Sequence, residues 1–440
     1  MKYTFKGGLH PSDGKEATEN KSIITLAAPE EMVYPMVQHI GAPCTPCVAV
    51  GDTVTVGQKI GDSDSFVSAP VHSTVSGTVK AVEPRRHPNG RMVESIVVEN
   101  DGLYTLHPDI HPYADTDKLT REEKISLVRE AGVVGMGGAC FPTFIKLNPP
   151  ADKKIDVCIV NGAECEPYLT SDHRVMIESP VPVFEGLKII MEILGVDKGY
   201  IGIEENKPEA IKTMRSLEKD YEGISVKVLK TKYPQGSEKH LIKALTGKEV
   251  PSGKLPADVG VVVNNVDTCT SVYNAVTRHQ PLLSRIVTVS GSGINKPSNF
   301  RVPIGTPFEY VIQAAGGIKD ETRKVVMGGP MMGVAQFDLS VPVVKGTSGI
   351  LALTDRELKF KNTTPCIRCG KCVQRCPMNL MPLYLNAYAA AKDMAKCIEY
   401  NIMDCIECGI CSYTCQSEQH PTQNIKLMKA QIAAARKQVK

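Results

Sequence analysis

Eight of the fifteen cysteines fall in two runs of the same spacing. The first reads Cys366-Ile-Arg-Cys369-Gly-Lys-Cys372-Val-Gln-Arg-Cys376-Pro377, and the second Cys405-Ile-Glu-Cys408-Gly-Ile-Cys411-Ser-Tyr-Thr-Cys415. Three thiolates separated by two residues each can wrap one face of an iron–sulfur cube from a single tight loop. C-x2-C-x2-C-x3-C runs hold [4Fe–4S] centres, and the chemistry of those centres is one-electron transfer. Disulfides fit poorly, because loops this small give unfavourable cysteine geometry. Zinc fits poorly too, since its sites take two pairs of ligands rather than a run of three and a distant fourth.

The paired runs resemble those of bacterial two-cluster ferredoxins, in which the fourth cysteine of each run crosses to the other cluster. By that resemblance Cys366, Cys369, Cys372 and Cys415 hold one [4Fe–4S] centre, and Cys405, Cys408, Cys411 and Cys376 the other. Cys397, on the helical spacer expected over 383–400, is left out.

A second group of chemistry-bearing residues lies in the middle of the chain. Apolar strands expected at 155–160, 200–203, 224–229 and 260–263 alternate with helical periodicity over 183–194, 208–217 and 238–245, which implies a parallel sheet. Ligands of such sheets sit beyond the carboxyl ends of the strands. Two of those ends carry asparagines, in Asn161-Gly-Ala-Glu-Cys-Glu166 and Asn264-Asn265-Val-Asp-Thr268. Their amides can donate to and accept from a heterocycle edge or a ribityl chain. Upstream, Thr120-Arg-Glu-Glu123 fits a capping box opening a helix that turns Ile125, Leu127 and Val128 inward. That helix runs out at Gly132 into Gly135-Met-Gly-Gly-Ala-Cys-Phe-Pro-Thr143, with Lys146 behind it. Such a loop can aim several N–H groups at one anion, and a lysine adds a point charge.

These motifs, with Gln235-Gly-Ser-Glu238, resemble in order and spacing the flavin- and NADH-binding subunit of respiratory complex I. The resemblance implies that Gly135, Gly137, Gly138 and Lys146 hold the phosphate and chain of a non-covalent FMN. It implies that Asn161, Glu164, Gly236, Glu238, Asn264, Asn265 and Thr268 line the rest, and that Phe141 and Glu166 face NAD(H). Ala163 stands where the family has aspartate, Ser237 where it has glutamate, and Leu147 and Pro149 replace aromatics.

The elements around these sites define the expected architecture, a multidomain α/β plus β chain. A polar leader (1–30), read as packing against a neighbour, precedes a barrel-sandwich module (31–105) resembling biotinyl and lipoyl carriers. No lysine stands between Ile60 and Val79, so a docking or scaffolding role is expected there. Cys44-Thr-Pro-Cys47 reads as two cysteines at a strand entrance. A parallel-sheet, Rossmann-like flavin domain (115–282) follows, then a unit similar to the SLBB β-grasp (283–352) with a packing role. A helical two-cluster ferredoxin domain (360–420) and a C-terminal basic helix (421–440) end the chain. Fifty-one Lys and Arg nearly balance 48 Asp and Glu, so no nucleic-acid partner is expected. So many free cysteines suit a reducing compartment. Met1–Lys6 has no apolar segment of a signal peptide, and no apolar run reaches membrane-spanning length.

From Phe5-Lys-Gly-Gly-Leu-His-Pro11 through the double cysteine run, the chain resembles the RnfC family of Rnf-type electron transport complexes end to end. The resemblance implies electron exchange between NADH and ferredoxin through FMN and two [4Fe–4S] clusters, coupled by partner subunits to Na+ or H+ translocation. It implies a peripheral subunit on the cytoplasmic side of the membrane. Membrane-embedded subunits and an iron–sulfur subunit are the expected partners, with ferredoxin reached indirectly. Two alternatives stay open: a flavin and iron–sulfur reductase of the cobalamin-reductase type, and an electron-transfer scaffold without a nicotinamide site.

Overall fold

The computed structural model describes residues 3–112, 116–358 and 362–438. The expected boundaries at 115 and 360 lie outside these, as do residues 1–2 of the leader and 439–440 of the terminal helix.

The middle of the chain forms a four-stranded parallel sheet in the order Ile224–Leu229, Gly199–Glu204, Val157–Gly162, Val261–Asn265. Its strands are mostly apolar up to their carboxyl ends because helices cover both faces. Val160, Phe184, Leu187, Ile190 and Met214 fill one side, and Val157, Ile159, Leu229, Leu241 and Val263 the other. The expected strands and helices are present, with ends shifted by up to three residues. The first strand starts later, because burial begins in earnest at Val157 and continues to Gly162. Asn161 therefore ends a strand rather than following it, and pairs in register with Asn265 on the adjoining strand. Thr120 caps the helix Arg121–Glu130 through the reciprocal box with Glu123. That helix buries Val128 and the stem of Lys124, whereas Ile125 and Leu127 are half-buried.

The N-terminal module packs two small antiparallel sheets. Glu31–Pro35, Met92–Asn100, Gly77–Arg86 and Thr53–Val54 form one, and Thr45–Pro46, Lys59–Asp62 and Val71–His72 the other. Alternating Met32, Tyr34, Val54, Ile60, Val71, Val79, Ile96 and Val98 close the core between them. Within the Ile60–Val79 stretch, residues 68–77 are buried. Thr74 donates to the Ile304 carbonyl at 2.9 Å, and the fully buried Lys345 ammonium donates to Pro70 and Gly132 at 2.5 and 2.7 Å. The module thus packs against the rest of its own chain.

The leader also packs against other parts of this chain. Ile23–Thr25 adds a parallel edge strand to Ser298–Pro303. The resulting six-stranded sheet continues through Ser284–Ser290, Gly349–Leu353, Lys324–Met327 and Val334–Gln336, with the helix Phe308–Ala314 on its core side. The C-terminal region is helical: Lys371–Arg375, Pro382–Ala390, Met394–Glu399, Ile410–Tyr413 and Pro421–Gln438. The spacer expected as one helix is two, broken at Ala391–Asp393, where Lys392 turns left-handed at φ 59°. Leu385, Cys397, Ile402, Ile425, Met428 and Ile432 form the core of this region.

Candidate functional site

Each cysteine run is a tight loop leading into a short helix, and the two repeat one backbone path. Arg368 and Glu407 are left-handed at φ 53° and 57°, followed by Gly370 and Gly409 at 74° and 79°. Two left-handed residues in four curl the loop, which is why a glycine follows the second cysteine of each run. The packing of the two loops sorts the cysteines across the runs. Cys366, Cys369, Cys372 and Cys415 line one concavity of about 440 Å³. Cys376, Cys405, Cys408 and Cys411 line another of about 380 Å³. Backbone N–H groups of Leu380, Gln419 and Glu407 each lie 3.4 Å from a cysteine sulfur, on Cys376, Cys415 and Cys405. Among the described residues no group of His, Cys, Asp or Glu gathers closely enough for a single metal ion. Four soft thiolates ringing a volume rather than a point fit a cube with metal at its corners.

The glycine loop, the two asparagine ends and Gln235–Glu238 meet at the carboxyl edge of the parallel sheet. Met136 N–H donates to the Thr268 hydroxyl at 3.1 Å, fixing the loop to the first turn of the helix Val266–Arg278. Gly137 lies against Asn265, where an added Cβ would stand 3.0 Å from its side chain, and Gly138 faces open space. Phe141 is half-buried, and its carbonyl accepts from Gly135. The Asn161 amide donates to the Gly236 carbonyl at 2.7 Å, joining two of the motifs. Asn264 is buried beside Asn265, whose amide donates to Asp172 at 2.7 Å. Burial, then the nearby Glu164 and Asp267 charges, push the Asp172 carboxyl well up. An open glycine loop beside paired asparagines on a sheet edge fits a flavin phosphate and chain.

The charged residues of the expected site have protein partners too. Lys146 donates to Glu238 at 3.1 Å and to the Val263 carbonyl at 3.0 Å, tying the loop to the sheet. Glu164 caps the helix Ser171–Glu178, accepting from Asp172 N–H at 2.7 Å and His173 N–H at 3.2 Å. Glu166, expected at the nicotinamide face, is drawn into the joint between domains. Its carboxylate accepts from Met331 N–H at 3.1 Å and lies 3.3 Å from the Tyr233 hydroxyl. The reason is Gly329, which has no side chain to hold the Gly328–Gly333 loop away from it. Burial pushes the Glu166 carboxyl up to about 7.

Lys15, Tyr233 and Arg285 are absent from the sequence-derived set. Lys15 is fully buried and donates to the carbonyls of Glu164, Glu166 and Leu169, while Lys207 donates to Ala163 at 2.7 Å. Arg285 pairs with Asp267 in the core. A charge opening the apolar strand Arg285-Ile-Val-Thr-Val was a usable sign of that pair. Lys15, in a polar stretch, left no such sign. Tyr233 fastens the cysteine region to the flavin-site motifs, donating to the Cys408 carbonyl at 2.8 Å.

Residues 128–274 match the Nuo51 FMN-binding domain, 3–103 the RnfC barrel sandwich hybrid domain, and 286–335 the SLBB domain. The chain is 48% identical over 434 residues to the C subunit of the Na(+)-translocating ferredoxin:NAD(+) oxidoreductase complex of Acetobacterium woodii, covering 99% of this chain and 98% of that one. It is 47% identical over 443 residues to the C subunit of the proton-translocating complex of Clostridium ljungdahlii, covering 99% and 95%. The chain belongs to the RnfC family. A third relative, the C subunit of the ion-translocating oxidoreductase complex of Rhodobacter capsulatus, is 43% identical over 405 residues, covering 91% of this chain and 78% of that one. As an RnfC-family member the chain belongs to a multi-subunit complex, and its flavin-type domain is set between the barrel sandwich and SLBB units. Among the described residues no helix is long and apolar enough to cross a membrane.

Proposed function

We propose that the chain is the NAD(H)-reacting subunit of an ion-translocating ferredoxin:NAD+ oxidoreductase, holding FMN at the sheet edge and two [4Fe–4S] clusters in the cysteine concavities. Bound FMN would exchange two electrons with nicotinamide and single electrons with the clusters. The Gly135–Gly138 backbone, with Asn161, Asn264 and Gly236, binds and orients it. Lys146 and Thr268 hold that frame in shape. The quartet Cys376, Cys405, Cys408 and Cys411 lies inward, against Tyr233, and Cys366 and Cys369 of the other quartet are exposed. The proposed route therefore runs from the sheet edge to the inner quartet, then to the outer quartet and a redox partner. It runs in reverse when NAD+ is reduced.

The observation that carries this reading is the Tyr233–Cys408 hydrogen bond, which brings a loop of the inner quartet onto the flavin-site motifs. On this reading the chain is peripheral on the cytoplasmic side of the membrane. It is held there by membrane-embedded subunits and an iron–sulfur subunit, and reaches ferredoxin through them. Anaerobically purified protein should carry FMN and about eight irons per chain, and NADH should bleach the flavin before the clusters. The engagement of Glu166 by Tyr233 and Met331 favours one second reading, an electron-transfer subunit without a nicotinamide site. Flavin that dithionite reduces and NADH does not would establish it.

A further inference from the structure

The segment Phe5-Lys-Gly-Gly-Leu-His-Pro11 supplies none of the residues assigned above to either group, yet it lies where the flavin domain and the inner quartet meet. Leu9 and Tyr233 exchange two backbone hydrogen bonds, Leu9 N–H to Tyr233 carbonyl at 3.0 Å and Tyr233 N–H to Leu9 carbonyl at 2.8 Å. One residue earlier, Gly8 N–H donates to the Arg375 carbonyl at 3.0 Å, immediately before the ligand position Cys376. Gly7 packs on the same turn, where an added Cβ would stand 3.0 Å from the Cys376 carbonyl. Phe5 is buried and packs against His240 with the rings tilted by 58° and their centres 4.5 Å apart. His240 in turn reaches the Pro377 carbonyl at 3.0 Å. Lys232 covers the other side of Phe5, its ammonium 4.5 Å from the ring centre and 2.8 Å from the Phe5 carbonyl.

One short strap thus binds, within five residues, both the turn that carries Tyr233 and the turn that carries Cys376. Its glycines follow from that double contact. Gly7 and Gly8 are left-handed at φ 83° and 76°. At Gly8 a Cβ would collide with the Tyr233 carbonyl. A segment with side chains at these two positions could not lie flat between two backbones. The Tyr233 hydroxyl to Cys408 closes the joint from the other side.

We propose that the Phe5–Pro11 strap is a positioning device, which locks the inner cysteine quartet against the flavin site and so sets the gap each electron crosses. This rests on the flavin and cluster reading given above. Each transfer moves one electron from the reduced flavin to the inner cluster, with NADH the two-electron donor, so the strap changes a rate and not the chemistry. Electron tunnelling weakens exponentially as the gap widens, so a displaced quartet slows this step and no other.

The test compares wild type with Gly8→Ala and Phe5→Ala in the full chain loaded with FMN and iron. Both variants should keep wild-type FMN and iron content, and NADH should bleach the flavin at the wild-type rate. Cluster reduction should slow several-fold in Gly8→Ala, and less in Phe5→Ala. Hydrogen exchange should rise together in the peptides containing Leu9, Tyr233 and Cys376. Cluster reduction at the wild-type rate in both variants overturns the proposal. So does increased exchange confined to residues 3–11. Should Gly8→Ala lose its iron, Phe5→Ala, which only vacates a ring, decides by the same two readings. Wild-type protein lacking FMN or iron would instead overturn the reading on which the strap rests.

Discussion

The Tyr233 hydroxyl donates to the Cys408 carbonyl at 2.8 Å while Glu166 Oε1 lies 3.3 Å from the same phenolic oxygen. One hydroxyl proton cannot serve two acceptors. With it committed to the nearer carbonyl, the Glu166 contact is completed when the carboxyl carries a proton and donates to the phenol. Burial, which pushes Glu166 up to about 7, favours that protonated form. A carboxylic acid, a phenol and a peptide of the inner cysteine loop thus form a chain between two domains.

Glu166→Gln tests that chain through its pH dependence. An acid held protonated by the fold favours the folded state at low pH. Its contribution is complete below about pH 4.5 and is lost as the pH rises through about 7. Wild-type thermal stability should therefore fall, relative to Glu166→Gln, across that window. Parallel Tm curves for the two proteins between pH 4.5 and 8 would show that the carboxyl is ionised throughout.

The crossing of the cysteine runs is testable one ligand at a time. Cys376→Ser should damage the cluster held by Cys405, Cys408 and Cys411, and Cys415→Ser the other. Paramagnetic resonance of the reduced variants distinguishes this from loss within the mutated run. Cys397, completely buried in the helical core, is not a ligand of either concavity. Cys397→Ala should keep all its iron and cost about 0.5–1.5 kcal/mol, the scale of one deleted buried methylene.

Flavin retention should depend on Lys146 and Asn161. Lys146→Ala removes a charge beside the glycine loop and the tie to Glu238 and Val263. A part-exposed pair of this kind is worth about 0.2–1 kcal/mol, so FMN affinity should fall by up to about fivefold. Equilibrium dialysis measures it directly. Full FMN occupancy in Lys146→Ala combined with Asn161→Ala would place the flavin elsewhere.

Lys15 should behave as part of the flavin domain although it stands in the leader. Lys15→Met keeps the apolar stem but strips three carbonyls of the 164–169 loop of their donor. A buried group left unpaired costs about 1–3 kcal/mol, so urea midpoints should fall accordingly. An unchanged midpoint would mean that the loop finds other donors.

The chemistry was legible in the sequence because it depends on local spacing. Cysteines separated by two residues with a glycine after the second dictate a curled loop wherever it is placed. The apolar runs ending in Asn161 and Asn264 likewise announce a buried parallel sheet with polar groups at its edge. Packing across long stretches of chain was not legible. Nothing near Glu166 in sequence says that Gly329, far downstream, leaves room for the Met331 loop to engage it. Nothing near Lys15 says that an ammonium will be buried under carbonyls some 150 residues away. The sorting of eight cysteines into two quartets was reached from the sequence only through the ferredoxin resemblance, and which quartet meets Tyr233 belongs to the tertiary structure. Those outcomes depend on which surfaces meet, and a contact between distant segments leaves no period or spacing in either one.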